Sequence, residues 1–413
     1  MFIGLTGIAG AIALVIWLTR RQWMLGWAML AGSLVVAVFN RLTPLKTLEI
    51  MWGALTSATT VNLVLIIGAI SVLGFMLREI GTLDSIIQNL NNLVRDIRLL
   101  MIFVPALVAL LMVPGGAVFS VPMMEPLGKK LKMKAESVSA ANIIFRHLSY
   151  MIFPFYPSLL LMAEISRVDV YFFIRYNFPV FFLGLGFAFF YFFGRVPRDA
   201  VKNEEARLST ANLRALLVSS LSMVIVLVLG IGFKVYFPAA LLAGILYVIF
   251  MGNPASERGD TPRERLAMVW PGIDWSMVLA IVGIMVFKDF VQASGSLNDL
   301  SALLLGLGIP LLLLAVLFPL LTGLITGNNA ASLGITVPLF LPLLPPGVRG
   351  EAYLAVMFIS SLMGYLASPF HLCLVLSTQY LRASLAEVIK EVLLASLTII
   401  GLSLLPLLLF YYR

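Results

Sequence analysis

The sequence holds one cysteine, Cys373, and two histidines, His147 and His371, among 413 residues. A single thiol excludes an intrachain disulfide and argues against a metal centre built on thiolates. Two imidazoles so far apart in sequence argue against a metal enzyme. Charge is scarce as well: Asp, Glu, Lys and Arg make up 12% of the chain, where a soluble domain holds about 25%. HExxH, CxxC and GxSxG signatures are missing, as is a G-x-x-x-x-G-K-[S/T] loop for ATP phosphates. The expectation is a protein that is not an enzyme and has no cofactor beyond bound Na⁺.

What the chain does have is apolar length. Hydrophobic residues make up 61% of it, in repeated stretches long enough for a hydrocarbon core of roughly 30 Å. Spans are expected at about 2–19, 24–39, 55–77, 137–163, 170–194, 213–230, 236–251, 273–290, 350–379 and 386–410. The first has arginines after it rather than before it, which reads as a retained helix and not a cleaved signal. Residues 82–97 alternate polar and apolar groups at helical spacing and read as an interfacial helix. With the N-terminus outside, the inner loops collect 19 of the 28 Lys and Arg residues and the outer ones six. That bias follows the positive-inside rule, so the net charge of +8 reports on topology rather than on nucleic acid. Ten crossings return the C-terminus to the outside.

Two regions, 99–128 and 302–345, break the pattern. The first contains Pro114-Gly115-Gly116, then Ser120, Pro122 and Pro126, and ends in the lysine cluster KKLKMK. Proline removes a helix donor, and in lipid the freed backbone groups need partners from protein or a water-filled cavity. The stretch is either a kinked structural helix or a re-entrant hairpin whose tip offers free amides to a ligand. The second region turns around Thr326, Gly327, Asn328 and Asn329. Those amides either cap a helix or contact a ligand or cation. Half-helices restarting near Ser120 and Ser332 would aim N–H groups and positive dipole ends at an anion.

The second half of the chain echoes the first. AMLAG at 28–32 recurs as ALLAG at 240–244, and VLIIGAISVLGFMLREIG from Val64 aligns with VLAIVGIMVFKDFVQASG from Val278. SVPMMEPL from Ser120 matches TVPLFLPL from Thr336, and YMIFPF from Tyr150 matches YLASPF from Tyr365. The four offsets run only from 212 to 216. Order and spacing together mark an internal repeat. The span assignment makes its two copies inverted, as in transporters with interrupted helices. Each copy then has a second break, at Pro154 and Pro157 and at Ser368-Pro369. Tyr150 pairs with Tyr365 across the repeat, and Tyr156 with His371.

Arg146 and His147 fall inside a span. An intramembrane charge marks a functional site or an internal ion pair, here with Asp289. His147 titrates in the range useful for proton coupling. Glu125 is a rival proton carrier or a salt-bridge partner of Lys129. Lys288 and Asp289, adjacent on one helix, are expected to face different partners.

Inverted repeats, each a helical hairpin followed by a broken helix, resemble the ion transporter superfamily. That group includes the divalent anion/sodium symporters, citrate carriers and gluconate-type permeases. The hairpin arms PGGAVFSVPMMEP and TGNNAASLGITVPLFLP look like those of an uncharacterised prokaryotic integral-membrane branch of it. The resemblance covers about residues 24–381. It implies a homodimer, an elevator motion of a transport domain, and small organic anions coupled to H⁺ or Na⁺. The dicarboxylate branch carries Ser-Asn-Thr at both tips. Pro-Gly-Gly and Gly-Asn-Asn stand here instead, so its substrate and stoichiometry do not carry over.

The reading that results is an all-α polytopic protein of the prokaryotic cytoplasmic membrane. Its parts are a first helix (1–23), repeat 1 (24–166), a connecting unit (167–235), repeat 2 (236–381) and a C-terminal helix (382–413). It would carry a small organic anion, a carboxylate, as a secondary symporter. Pro114, Gly115, Gly116, Ser120, Arg146, Thr326, Gly327, Asn328, Asn329, Ser332 and His371 are the expected substrate contacts. Glu125, His147, Tyr150 and Ser368 are the expected coupling residues, with Na⁺ near Gly116, Asn328 and Ser368. Partners would be the anion, H⁺ or Na⁺, lipid and a second copy, with no nucleic acid. The alternatives are an intramembrane enzyme or lipid-handling protein, and an anion channel.

Overall fold

The computed structural model describes residues 2–110, 116–203, 206, 209–252, 260–295 and 308–411. Pro114 and Gly115 lie outside these residues, as does the start of the second hairpin region.

Helices account for the architecture. In order they are α1 (Phe2–Arg20), α2 (Leu25–Phe39), α3 (Pro44–Thr56), α4 (Ala58–Glu79), α5 (Thr82–Leu93), α6 (Ile97–Leu110), α7 (Ala117–Lys130), α8 (Ala135–Leu148), α9 (Pro157–Ser166) and α10 (Val170–Phe193). The chain continues with α11 (Thr210–Leu227), α12 (Phe237–Met251), α13 (Pro262–Ala267), α14 (Trp275–Ala293), α15 (Leu311–Thr326), α16 (Asn329–Phe340), α17 (Val348–Leu366), α18 (Leu372–Tyr380) and α19 (Leu385–Pro406). Among the described residues the one β feature is an isolated bridge between Asp96 and Lys202.

Five helices are long and apolar enough to cross a membrane among the described residues: Ala58–Glu79, Val170–Phe193, Thr210–Gly230, Trp275–Ala293 and Leu385–Leu409. Large apolar side chains stand exposed on several of the helices, among them Trp52, Phe190, Leu217 and Phe250. A soluble monomer does not display so many; a lipid-facing bundle does. The chain is a multi-spanning, all-α membrane protein.

Lipid offers no hydrophobic drive for helix association, so close packing has to supply it. Glycines permit this at two of the crossings. A Cβ on Gly283 of α14 would lie 2.5 Å from the Gly26 carbonyl oxygen of α2, and one on Gly364 of α17 would lie 2.1 Å from the Leu320 oxygen of α15. These two crossings draw the backbones into contact. Inside them, α8, α16 and α17 are buried along nearly their whole length.

Helix ends follow local chemistry. Thr43 caps α3, with Pro44 in the first turn, and Thr261 and Glu264 form a capping box on α13. Among the described residues, five of the six non-glycine residues with positive φ are basic (Arg41, Lys132, Arg167, Lys234 and Arg382). All five directly follow helices or their terminal turns, where cations complement the dipole. Helix α3 is an addition to the sequence expectation. It lies between the expected spans 24–39 and 55–77, where Lys46, Thr47 and Glu49 interrupt the apolar run, and its Leu45, Leu48 and Trp52 share one exposed apolar face.

Helix α5 ends at Leu93, short of the expected 97, and Val94 to Asp96 run into the bridge with Lys202. Asn203 fastens this corner. Its backbone N–H donates to Arg95 O at 2.7 Å, and its side-chain amide donates to Asn91 O and Val94 O at 2.9 and 3.0 Å. The polar segment after α10 is thereby tied to the end of α5.

Candidate functional site

Prolines and Ser-Pro steps interrupt two long apolar stretches, and the interruptions meet. Helix α8 gives way to a single 3₁₀ turn at Ser149–Met151, and the chain restarts as a helix at Pro157. Helix α17 stops at Leu366 and α18 begins at Leu372. Helices α15 and α16 lie against each other with their joint at Gly327 and Asn328. Gly327 has φ +61°, and a Cβ there would lie 2.7 Å from the Cβ of Phe370, so only glycine fits. The Ser368 hydroxyl donates to Leu324 O at 2.7 Å and binds the α17–α18 break to this joint.

Between these parts lies a cavity of about 330 Å³. Arg146, His147, Tyr150, Tyr156, Ser158, Asn328, Asn329, Tyr365 and Cys373 contribute to its wall. Asn328 caps α16, its side chain accepting from Ala331 N at 3.0 Å. Asn329 reaches across: its Nδ2 donates to the Tyr156 hydroxyl at 3.2 Å and its Oδ1 accepts from Ser361 Oγ at 2.6 Å. The Tyr150 and Tyr156 rings stack at 4.1 Å.

Arg146 is 1% exposed. Its Nε and Nη1 have no hydrogen-bond partner among the described residues. Asp289 is not its counter-ion, because that carboxylate pairs with its neighbour Lys288 at 3.2 Å. The long lysine side chain curls back to it, so the expectation that Lys288 and Asp289 face different partners is corrected. Asp274 shares the cavity wall but caps α14, accepting from Ser276 and Met277 N–H, and makes no ion pair with Arg146. The desolvated guanidinium therefore costs several kcal/mol unless another anion comes to it.

The histidines overturn the expectation of neither enzyme nor metal. Their rings are 4.8 Å apart, and ligand atoms of His147, His371 and Cys373 all lie within 4.8 Å of one another. Nδ1 of His147 lies 2.7 Å from Ile143 O, so it carries the proton and leaves Nε2 with a lone pair. Nδ1 of His371 faces Leu366 O at 3.4 Å, and its Nε2 has no partner among the described residues. Two imidazoles and a thiol suit a soft divalent ion such as Zn²⁺. Bond lengths of about 2.0–2.3 Å need tetrahedral ligand atoms about 3.3–3.8 Å apart, so the three would close in by roughly 1 Å. A flat denial of enzymatic function and a cofactor list ending at Na⁺ do not survive this cluster. Distance in sequence was the wrong guide, since the two helix breaks fold onto each other.

Of the other expected residues, Gly116 is buried at the start of α7 and Ser120 points back to Ala117 O at 3.4 Å. Ser332 donates to Pro319 O at 3.0 Å and so holds α16 to α15, whereas Thr326 donates to Thr322 O at 2.7 Å within α15. Glu125 pairs with Lys129 at 2.7 Å, away from the cavity wall. Cys373, Tyr156, Ser158, Ser361 and Tyr365 belong to the site or its support and were not assigned to it. The repeat offset that pairs Tyr150 with Tyr365 also pairs Ser158 with Cys373. That was the available signal.

The family profile described as "Protein of unknown function (DUF401)" matches residues 9–410. The chain belongs to the DUF401 family. No curated relative matches it. Every helix of the DUF401 chain that lines the cavity falls within the matched region.

Proposed function

We propose that this protein handles a small organic anion, a carboxylate, in the cavity between the two helix breaks. The observation that carries the reading is Arg146, buried against the cavity with two nitrogens unpartnered among the described residues. Asn328, Asn329 and the start of α16 supply neutral donors beside it. At such a site an anion supplies the guanidinium's missing counter-charge.

Two activities fit an anion held there. The His147–His371–Cys373 cluster favours an intramembrane enzyme over simple symport. A divalent ion there would act as a Lewis acid toward the carboxylate. In that reading Arg146 binds and orients the anion, while Tyr150, Tyr156 and Asn329 shape the wall around it.

The interrupted helices support the second reading, a secondary carrier. It treats 24–166 and 236–381 as inverted repeats, 99–128 and 302–345 as re-entrant hairpins, and 167–235 as the connecting unit, flanked by 1–23 and 382–413. It places the chain beside the ion transporter superfamily, as an ion-coupled elevator in a homodimer of the prokaryotic inner membrane with both termini outside. Its support is the ordered sequence repeat, the paired breaks and the lysine bias.

One preparation separates the activities. Full-length protein in liposomes is loaded with Zn²⁺ or stripped with chelator, then given labelled carboxylates. Chemically altered label that appears only with Zn²⁺ supports the enzyme. Unaltered label accumulating under an imposed ion gradient supports the carrier. Neither conversion nor accumulation, with no carboxylate binding, sinks the anion site itself.

A further inference from the structure

A second cavity, of about 640 Å³, lies where α10 ends, α8 begins and α19 passes. Lys132, Lys134 and Arg195 line it, arriving from two separate segments, and Glu391 and Ser137 line it as well. Leu131, Met133 and Val196 add apolar wall. On its rim Phe190 is 73% exposed and Tyr191 37%. Since α10 is one of the long apolar helices, its end marks the depth where hydrocarbon gives way to headgroups.

We infer that this cavity binds the headgroup of an anionic phospholipid, with its phosphate between Lys132, Lys134 and Arg195. The chemistry is divided in the way such a ligand requires. Three cations face a phosphate, and the exposed Phe190 ring lies along the path of an acyl chain. Basic pockets between helices at a membrane face are the recurrent form of such sites. A soluble phosphate would use the cations but leave the aromatic rim idle. Among the described residues Glu391 is the one carboxylate in the wall, and the Ser137 hydroxyl donates to it at 2.9 Å. It still has lone pairs to accept a headgroup hydroxyl, which favours phosphatidylglycerol over phosphatidic acid. The lysines also serve topology. That role alone needs neither a cavity nor an arginine brought in from another segment.

The test is native mass spectrometry of the full chain in detergent, titrated with phosphatidylglycerol, phosphatidic acid, phosphatidylcholine or glycerol phosphate. Phosphatidylglycerol should bind first, in competition with phosphatidic acid and well ahead of phosphatidylcholine. Each cation changed to glutamine should weaken it roughly fivefold. Arg195→Gln alone is the mild variant, and Lys132→Gln/Lys134→Gln/Arg195→Gln the full one. Lys46→Gln/Lys390→Gln, outside the cavity, should leave binding unchanged. Size-exclusion profiles identify variants that fail to fold, and Arg195→Gln then carries the comparison. Equal binding of phosphatidylglycerol and phosphatidylcholine would overturn the assignment, as would unaltered binding by a folded Arg195→Gln. Glycerol phosphate binding as well as the lipid would overturn the lipid identity. Phosphatidic acid binding more tightly than phosphatidylglycerol would overturn the role of Glu391.

Discussion

The side-chain amide of Asn329 donates to the Tyr156 hydroxyl at 3.2 Å, joining the α15–α16 joint to the α8–α9 break across 173 residues of sequence. With Ser361 donating to the same side chain, Asn329 bridges three separate elements of the site. Asn329→Ala removes both bonds; Tyr156 keeps Ser158 as a partner, and the buried Ser361 hydroxyl is stranded at about 1–3 kcal/mol. The expected result is a lower melting temperature together with weaker carboxylate binding. Normal stability and affinity would mean that the bridge holds nothing.

Gly327 tests the joint's backbone. Gly327→Ala places a methyl group against Phe370 in a left-handed conformation that alanine resists, at roughly 1–2 kcal/mol before the clash is counted. Melting temperature should fall, and cleavage by protease near 327 should rise. Gly295→Ala, where a Cβ meets nothing within 4 Å despite φ +67°, separates conformational cost from crowding and should be milder.

Metal removal tests the cluster. Elemental analysis of Zn²⁺-loaded protein should give about one ion per chain, and His371→Ala/Cys373→Ser should lose it. Binding at 100 times the dissociation constant adds about 2.7 kcal/mol of stability. A chelator should therefore lower the melting temperature of the wild type and leave the double variant unmoved. A wild type that retains no metal would remove the enzyme reading.

Acid should loosen the corner at Asp96. Partial burial pushes its carboxyl upward, but bonds from the Arg98 side chain and backbone outweigh this and hold it below the usual carboxylate value. A lowered folded value adds stability above the unfolded pKa, and that stability is lost as pH falls through the folded value. Hydrogen-exchange protection factors at residues 94–98 and 203 should fall below about pH 4, while Asp96→Asn should show low protection already at neutral pH. Asn203→Ala should free the same corner at every pH.

The helix breaks were legible because proline and glycine act locally, so Pro154, Pro157, Ser368-Pro369 and Gly327 announce themselves in any sequence. Arg146 was legible because a charge inside an apolar run is conspicuous. The meeting of His147 with His371 was not, since it depends on how two distant breaks pack. Cys373 was hidden for the same reason, with the repeat offset to Ser158 as its only trace. Helix α3 was missed because its apolar stripe is interleaved with Lys46 and Glu49, and the choice between helix and loop there rests on packing against α4 and α14.

The most direct measurement is the melting temperature of wild type and Arg146→Gln, each with and without a panel of mono-, di- and tricarboxylates. Removing an uncompensated buried charge should leave the ligand-free variant as stable as wild type, or more so by about 1–4 kcal/mol. A carboxylate that raises the wild-type melting temperature should fail to raise the variant's. A ligand-free variant that melts well below wild type, or one that keeps the full carboxylate response, would contradict the account.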